Sequence, residues 1–113
     1  MEVKAVAKDT GVSPQKIRLL VDMVRGKKVE EALAILNFAP SPLARVVAKV
    51  VKSAAANAEN NFQMEPADLR IVTIYADEAR PMKRFRPVSR GRAHHVAKRS
   101  SHITVVVAEE QEV

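Results

Sequence analysis

Residues 80–102, RPMKRFRPVSRGRAHHVAKRSSH, hold eight lysines or arginines, three histidines and no aspartate or glutamate. The remaining ninety residues hold eleven basic and thirteen acidic side chains, so a segment of formal charge +8 stands against a remainder of −2 and supplies the whole net charge of +6. The segment is too poor in apolar residues to offset the entropy of ordering its backbone, about 1–2 kcal/mol per residue. A polyanion that orders it is therefore expected.

Two β-branched runs bracket this segment. Leu69–Asp77, LRIVTIYAD, and Ser101–Ala108, SHITVVVA, both read as strands, the second with Ile103, Val105 and Val107 on one face. If Tyr75 pairs near Val107 and Ile74 near Ala108, the midpoint is Gly91, the only glycine in the last two thirds of the chain and a residue suited to a turn. The simplest geometry is one continued antiparallel hairpin, with arms over about 78–90 and 92–100. At about 3.3 Å per residue the thirteen residues of the longer arm reach roughly 40 Å, well beyond a body whose radius of gyration should be about 12 Å. Pro81 and Pro87 are an even number of residues apart, so both missing N–H groups can face the outer edge of such a ladder.

The rest of the chain reads as the body that carries this arm. With 113 residues, 47% of them hydrophobic, it is long enough for one core and too short for two ordinary domains, so a single domain over 1–113 with an arm over about 78–102 is expected. Glu2–Lys8 alternates as a short strand, with Val6 out of pattern. Ser13-Pro14 is an N-cap hydroxyl followed by a first-position proline, and Ile17, Leu20, Val21 and Val24 form the buried stripe of a helix that Gly26 stops. Its other face reads as Arg18–Asp22 and Asp22–Arg25 pairing, or as an RNA footprint joined by Lys16 and the Arg25-Gly26-Lys27-Lys28 corner. Val29–Phe38 is a second short helix with glutamates in its first turn. Ser41-Pro42 repeats the earlier start signal for a third, central helix built on Leu43, Val46, Val47, Val50, Val51 and Ala54, and Asn60-Asn61 marks its end. That helix also carries a basic stripe of Arg45, Lys49 and Lys52 and a polar one of Ser53, Asn57 and Asn61.

Several function classes are disfavoured. No apolar run approaches the eighteen or so residues of a membrane span, and no apolar core marks the first ten residues as a secretion signal, so a soluble protein with no membrane partner is expected. Cysteine is absent, which removes thiolate metal sites and cysteine nucleophiles. His94, His95 and His102 sit among cations that repel a metal ion, and adjacent strand histidines point to opposite faces, so no metal and no cofactor is expected. The basic segment has no carboxylate for acid–base chemistry, which argues against an enzyme. A pI near 10 concentrated in one stretch points to nucleic acid or an anionic membrane surface as partner, and four aromatic residues in all favour phosphate and shape contacts over base stacking. A DNA-bending architectural protein is the rival, but such proteins place two arms by dimerising, and no coiled-coil seam is present. A scaffold for protein partners is compatible with either.

SPQKIRLLVDMVRGKKVEEALAIL, AKVVKSAAANAENN, MKRFRPVSRGRA and KRSSHITVVV, in this order and spacing, closely resemble the ribosomal protein twenty-two family of the bacterial large subunit. The resemblance implies an α+β fold of three helices packed on a small antiparallel sheet with a long protruding β-hairpin. It implies a structural constituent of the cytoplasmic ribosome that binds 23S rRNA, supports subunit assembly and lines the nascent-peptide exit tunnel with its hairpin tip. Its implied partners are 23S rRNA, neighbouring large-subunit ribosomal proteins and the nascent polypeptide, with a single copy per ribosome. Macrolide-class drugs also bind near the hairpin in this family. Ser13, Lys16, Arg18, Arg25, Gly26 and Lys27 match the family's first-helix RNA block; Met82, Lys83, Arg84, Arg90, Gly91 and Arg92 match its hairpin; Lys98, Arg99, Ser101 and His102 match the returning arm. Of these, Ser13, Lys16, Arg18, Arg25, Lys27, Lys83, Arg84, Lys98, Arg99, Ser101 and His102, with Lys28 and Arg86, make the candidate rRNA-binding set, and Arg90, Gly91 and Arg92 the candidate tunnel-lining tip. Gln15 stands where the family usually has arginine, Ala79-Arg80-Pro81 replaces a glycine-proline bend, and Phe85-Arg86 and His94-His95 are unusual for it.

Overall fold

The computed structural model describes residues 2–8, 10–80, 82–87 and 93–109, with 82–87 and 93–98 as main chain. In chain order these form β1 (Glu2–Ala7), α1 (Pro14–Val24), α2 (Val29–Phe38), α3 (Ala44–Phe62), a 3₁₀ turn (Pro66–Asp68), β2 (Leu69–Glu78), β3 (Met82–Pro87), β4 (Ala93–Lys98) and β5 (Ser101–Glu109). The fold is α+β, three helices on a small antiparallel sheet, as the sequence patterns and the family resemblance predict.

The body sheet has the order β1-β5-β2, both pairings antiparallel. The central strand is the one with most β-branched residues, and its Ile103, Val105 and Val107 are fully buried. In β1, Val3 is buried and opposes Val107, whereas Val6 is 42% exposed opposite Thr104, so the apparent break in alternation is an apolar residue on the solvent side of a regular strand. α3 packs on β1 and β5, α1 packs on β2, and α2 packs on α3 and α1. Small residues run along the buried side of α3, where Ala44, Ala54 and Ala58 lie among Val47, Val50 and Val51.

The helix ends differ in detail from the sequence expectation. Ser13 occupies the N-cap position of α1, but its hydroxyl caps nothing; its carbonyl accepts the N–H groups of Lys16 and Ile17 at 3.2 and 3.3 Å. α3 starts two residues after Pro42, because the Ser41 hydroxyl accepts the Leu43 N–H at 3.3 Å and holds a tight turn ahead of the helix. It also runs past Asn60-Asn61 to Phe62, where Gln63 takes the left-handed conformation at φ 53°. The Asn61 amide donates to the Asn57 side-chain oxygen one turn earlier, which favours the helical geometry that an Asn pair otherwise tends to end.

The hairpin register differs from the midpoint construction. Tyr75 pairs with Thr104 and Ile74 with Val105, three residues from the expected partners. The ladder shifts by one between Ile71 and Thr73, so Val72 is an extra residue on β2. A second extra residue lies between Glu78↔Ser101 and Met82↔Lys98, again on the outgoing side. Each insertion adds twist and bend to the outgoing strand. β3 and β4 consequently form a ladder of their own, closing at Pro87↔Ala93, rather than an unbroken continuation of β2 and β5. A compact chain of this length has a radius of gyration of about 13 Å. Here it is 17.0 Å, with principal extents of 64 × 27 × 20 Å, so an arm projects from the body.

Candidate nucleic-acid interface

β2 is an edge strand, and an unpaired edge exposes a row of main-chain donors and acceptors. The N-terminal helix and its corner occupy that row. Lys28 forms an isolated antiparallel bridge with Arg70, and the Lys27 carbonyl accepts the Ile71 N–H at 2.9 Å. Further along, Arg25 donates from Nη2 to the Ile74 carbonyl at 3.1 Å, and Arg18 donates from Nε and Nη2 to the Ala76 carbonyl at 3.3 and 3.2 Å. The edge is thereby closed to a second chain, and four basic residues stand in file along about 20 Å of strand. Of the two readings of Arg18, pairing with Asp22 or part of an RNA footprint, the first is not what the structure shows: its guanidinium lies on the Ala76 carbonyl of β2. Arg25 does pair with Asp22, at 2.7 Å, but with 51% and 62% of the two side chains exposed this is a solvent-screened pair worth about 1 kcal/mol or less.

The file leads to the base of the arm, which a hydroxyl cluster ties to the loop before α1. Thr10 donates its N–H to the Ser101 carbonyl at 3.0 Å and shares a 2.8 Å hydroxyl–hydroxyl bond with Ser101. The Gly11 N–H donates to the Ser100 hydroxyl at 3.0 Å, and the Ala79 N–H to the Ser100 carbonyl at 3.0 Å. Ser101 is fully buried, which places its hydroxyl inside the fold rather than on a face open to RNA. Thr10→Val is expected to leave that hydroxyl without its partner, lowering stability by about 1–3 kcal/mol. A thermal melt checks this, and an unchanged melting temperature would show the cluster to be structurally idle.

Of the other candidate residues, Lys16, Arg18, Arg25, Lys27 and Arg99 are exposed, while Ser13, Lys28 and His102 are half-buried, His102 lying opposite Asp77. Exposed Gln15 precedes Lys16 at the start of α1. Exposed Arg80 stands with Arg99 where the body ladder gives way to the arm. Lys83, Arg84 and Arg86 occupy β3 positions opposite Ala97, Val96 and His94, and Lys98 lies on β4 opposite Met82. Arg90, Gly91 and Arg92 lie outside the described residues, as does the turn expected at Gly91.

A family model described as ribosomal protein L22p/L17e matches residues 5–108. The chain belongs to that family. It is 70% identical over 109 residues to large ribosomal subunit protein uL22 of Dehalococcoides mccartyi strain 195, covering 96% of this chain and all of the relative. The protein of the same name from strain BAV1 is 69% identical over the same span. For this member of the L22p/L17e family, the sequence singles out the cations that stand along the β2 edge but not Thr10 and Ser100. Nothing local marks them, because their bonds join residues about ninety positions apart. Among the described residues no group of three His, Asp or Glu side chains gathers as a metal site, and no helix is long and apolar enough to cross a membrane.

Proposed function

We propose that this chain acts as a single RNA-binding unit, gripping 23S rRNA with the basic file along β2 and with the β3–β4 arm, and lining the peptide exit tunnel with residues 90–92. As a member of the L22p/L17e family it is a structural constituent of the large ribosomal subunit, with no catalytic role. The observation that carries the finer reading is the projecting arm: two paired strands bearing Lys83, Arg84, Arg86 and Lys98, in a molecule 64 Å long and 27 Å wide. Each cation placed on a phosphate releases counterions, and arginine can hold phosphate through two parallel bonds. Arg18 and Arg25 are pre-oriented for that role by their carbonyl bonds, so less side-chain freedom is lost on binding. Ser101 acts from inside, seating the arm. The body, less charged, faces neighbouring large-subunit proteins and supports assembly as one copy per particle.

The test uses Gly91 replaced by a photoreactive residue in intact translating ribosomes. Crosslinks to nascent peptide and to 23S rRNA are expected. Crosslinks confined to surface proteins would overturn the tunnel assignment.

A further inference from the structure

The two edges of the body sheet differ. The β2 edge is covered by α1 and its corner, whereas β1 has no strand on its outer side among the described residues. Arg25 and Arg18 reach the Ile74 and Ala76 carbonyls from outside β2, so Ile74 turns its main chain away from the central strand. Its ladder partner Val105 therefore bonds toward β1, where it meets Ala5. With Ala5 turned inward, the neighbouring Lys4 and Val6 present their N–H and C=O groups on the free edge. The Asn57 side-chain amide, donating to the Lys4 carbonyl at 3.4 Å from α3, meets one of these groups.

Beside this edge runs a groove. Val46, Lys49, Val50 and Ser53, at i, i+3, i+4 and i+7, make one stripe of α3 and line it together with Val6 and Lys8. An edge strand flanked by a helix is an arrangement by which proteins take up an extended peptide as an added strand, main-chain bonds giving affinity and alternate side chains specificity. One face of such a strand meets the valines of α3. The other meets Lys4, Val6 and Lys8, all exposed. The surroundings therefore select apolar side chains on one face of the peptide and acidic ones on the other. A second copy of the chain is disfavoured, because it would bring two sets of Lys4, Lys8 and Lys49 to one seam.

We propose that the β1 edge and its groove take an extended acidic protein segment as a fourth strand of the body sheet, its apolar side chains on Val46 and Val50 and its carboxylates on Lys4, Lys8 and Lys49. This goes beyond the rRNA reading and does not depend on it. The segment lies at the edge opposite the basic file of β2, so it and RNA can be held at once.

The experiment titrates the full chain into a short fluorescein-labelled peptide of alternating valine and glutamate, read by anisotropy, with filter retention of a 23S rRNA transcript alongside. Saturable peptide binding is expected. Val6→Pro removes an N–H that faces off the edge, where no ladder bond is lost, and is expected to weaken peptide binding about tenfold with rRNA retention unchanged. K4E/K8E should weaken it at least as much, and a peptide of alternating valine and lysine should restore it. Two further peptides, N-methylated on the valines or on the glutamates, keep the test independent of how the variants fold: one should lose binding and the other keep it, because only every second N–H faces β1. Equal binding of these two, or equal binding of an oligoglutamate, would show plain charge attraction and overturn strand addition. Absence of peptide binding overturns the proposal, and concentration-dependent dimers that Val6→Pro dissolves would then assign the edge to a second copy. Competitive displacement of the peptide by the rRNA transcript would assign the edge to RNA and overturn it too. Failure to retain the transcript, with the peptide still bound, strikes the rRNA reading and leaves this one standing.

Discussion

Replacing residues 82–98 by an Asn-Gly turn is expected to leave a folded body that binds 23S rRNA weakly and with a much shallower salt dependence. The body ladder ends at Glu78↔Ser101, the arm strands form a two-stranded sheet of their own, and residues of the body form a buried core among themselves. The excision removes six cations, Lys83, Arg84, Arg86, Arg90, Arg92 and Lys98. If each sits on a phosphate, the log–log slope falls by about 5, at about 0.9 per contact on a duplex. Affinity should then drop by orders of magnitude at low salt and by far less at high salt, as read by filter binding over a salt series. Circular dichroism and a thermal melt report whether the body stands. A slope unchanged by the excision would move the interface onto the body. A wider excision of 80–102 is expected to unfold the chain, because it takes Ser101 and His102 out of the central strand and deprives Thr10 and Gly11 of their partners.

The contrast between these two deletions shows where the sequence is legible. Strands β2 and β5 are evident because β-branched residues crowd into them, and α2 has the bounds its pattern implies, Val29–Phe38. Register is another matter. A run such as Val105-Val106-Val107 pairs acceptably in several alignments, and the midpoint construction assumes two arms of equal length. The outgoing side carries two extra residues, so partner numbers sum to 178 at Ile71↔Val107, 179 at Tyr75↔Thr104 and 180 at Arg84↔Val96. The arm ladder is therefore centred on position 90 rather than on Gly91. Pro81 and the missing glycine at position 79 signal some irregularity there, but nothing in the sequence singles out Val72.

The interface shows a similar division. Charge identifies Arg18, Arg25, Lys27 and Lys28 without any structure, because long cationic side chains are almost never buried unpaired. What charge does not reveal is that all four residues meet main-chain groups of one edge strand, Arg18 and Arg25 with their guanidinium groups and Lys27 and Lys28 with their own main chain. Arg18→Gln should thus weaken the α1–β2 seam as well as any phosphate contact. Ser101 is the converse case. A serine among Lys98, Arg99 and His102 reads as a phosphate donor, yet Thr10, distant in sequence, draws its hydroxyl inward.

Ile103→Ala is expected to destabilise the body by about 2–5 kcal/mol, a large share of the 5–15 kcal/mol that a domain typically has. Ile103 is fully buried in the central strand, and its ladder neighbours are Ala7 and Ala76, whose methyl groups cannot extend into a vacated volume. The helix packed on this strand offers little to fill it, since the buried residues of α3 include Ala54 and Ala58. The cavity should therefore persist and add its own cost to the lost transfer energy. Because Ile103 lies two residues from Ser101, the seat of the arm loosens with the core, and rRNA binding should fail at a lower temperature than in the wild type. Urea unfolding measures the loss as a lower midpoint at unchanged slope. Val6→Ala, on the open face of the same sheet, should cost less than about 0.5 kcal/mol. Equal losses at the two positions would mean that the helices do not hold one face of the sheet in the packing described, and that the arm's seat depends on something other than this core.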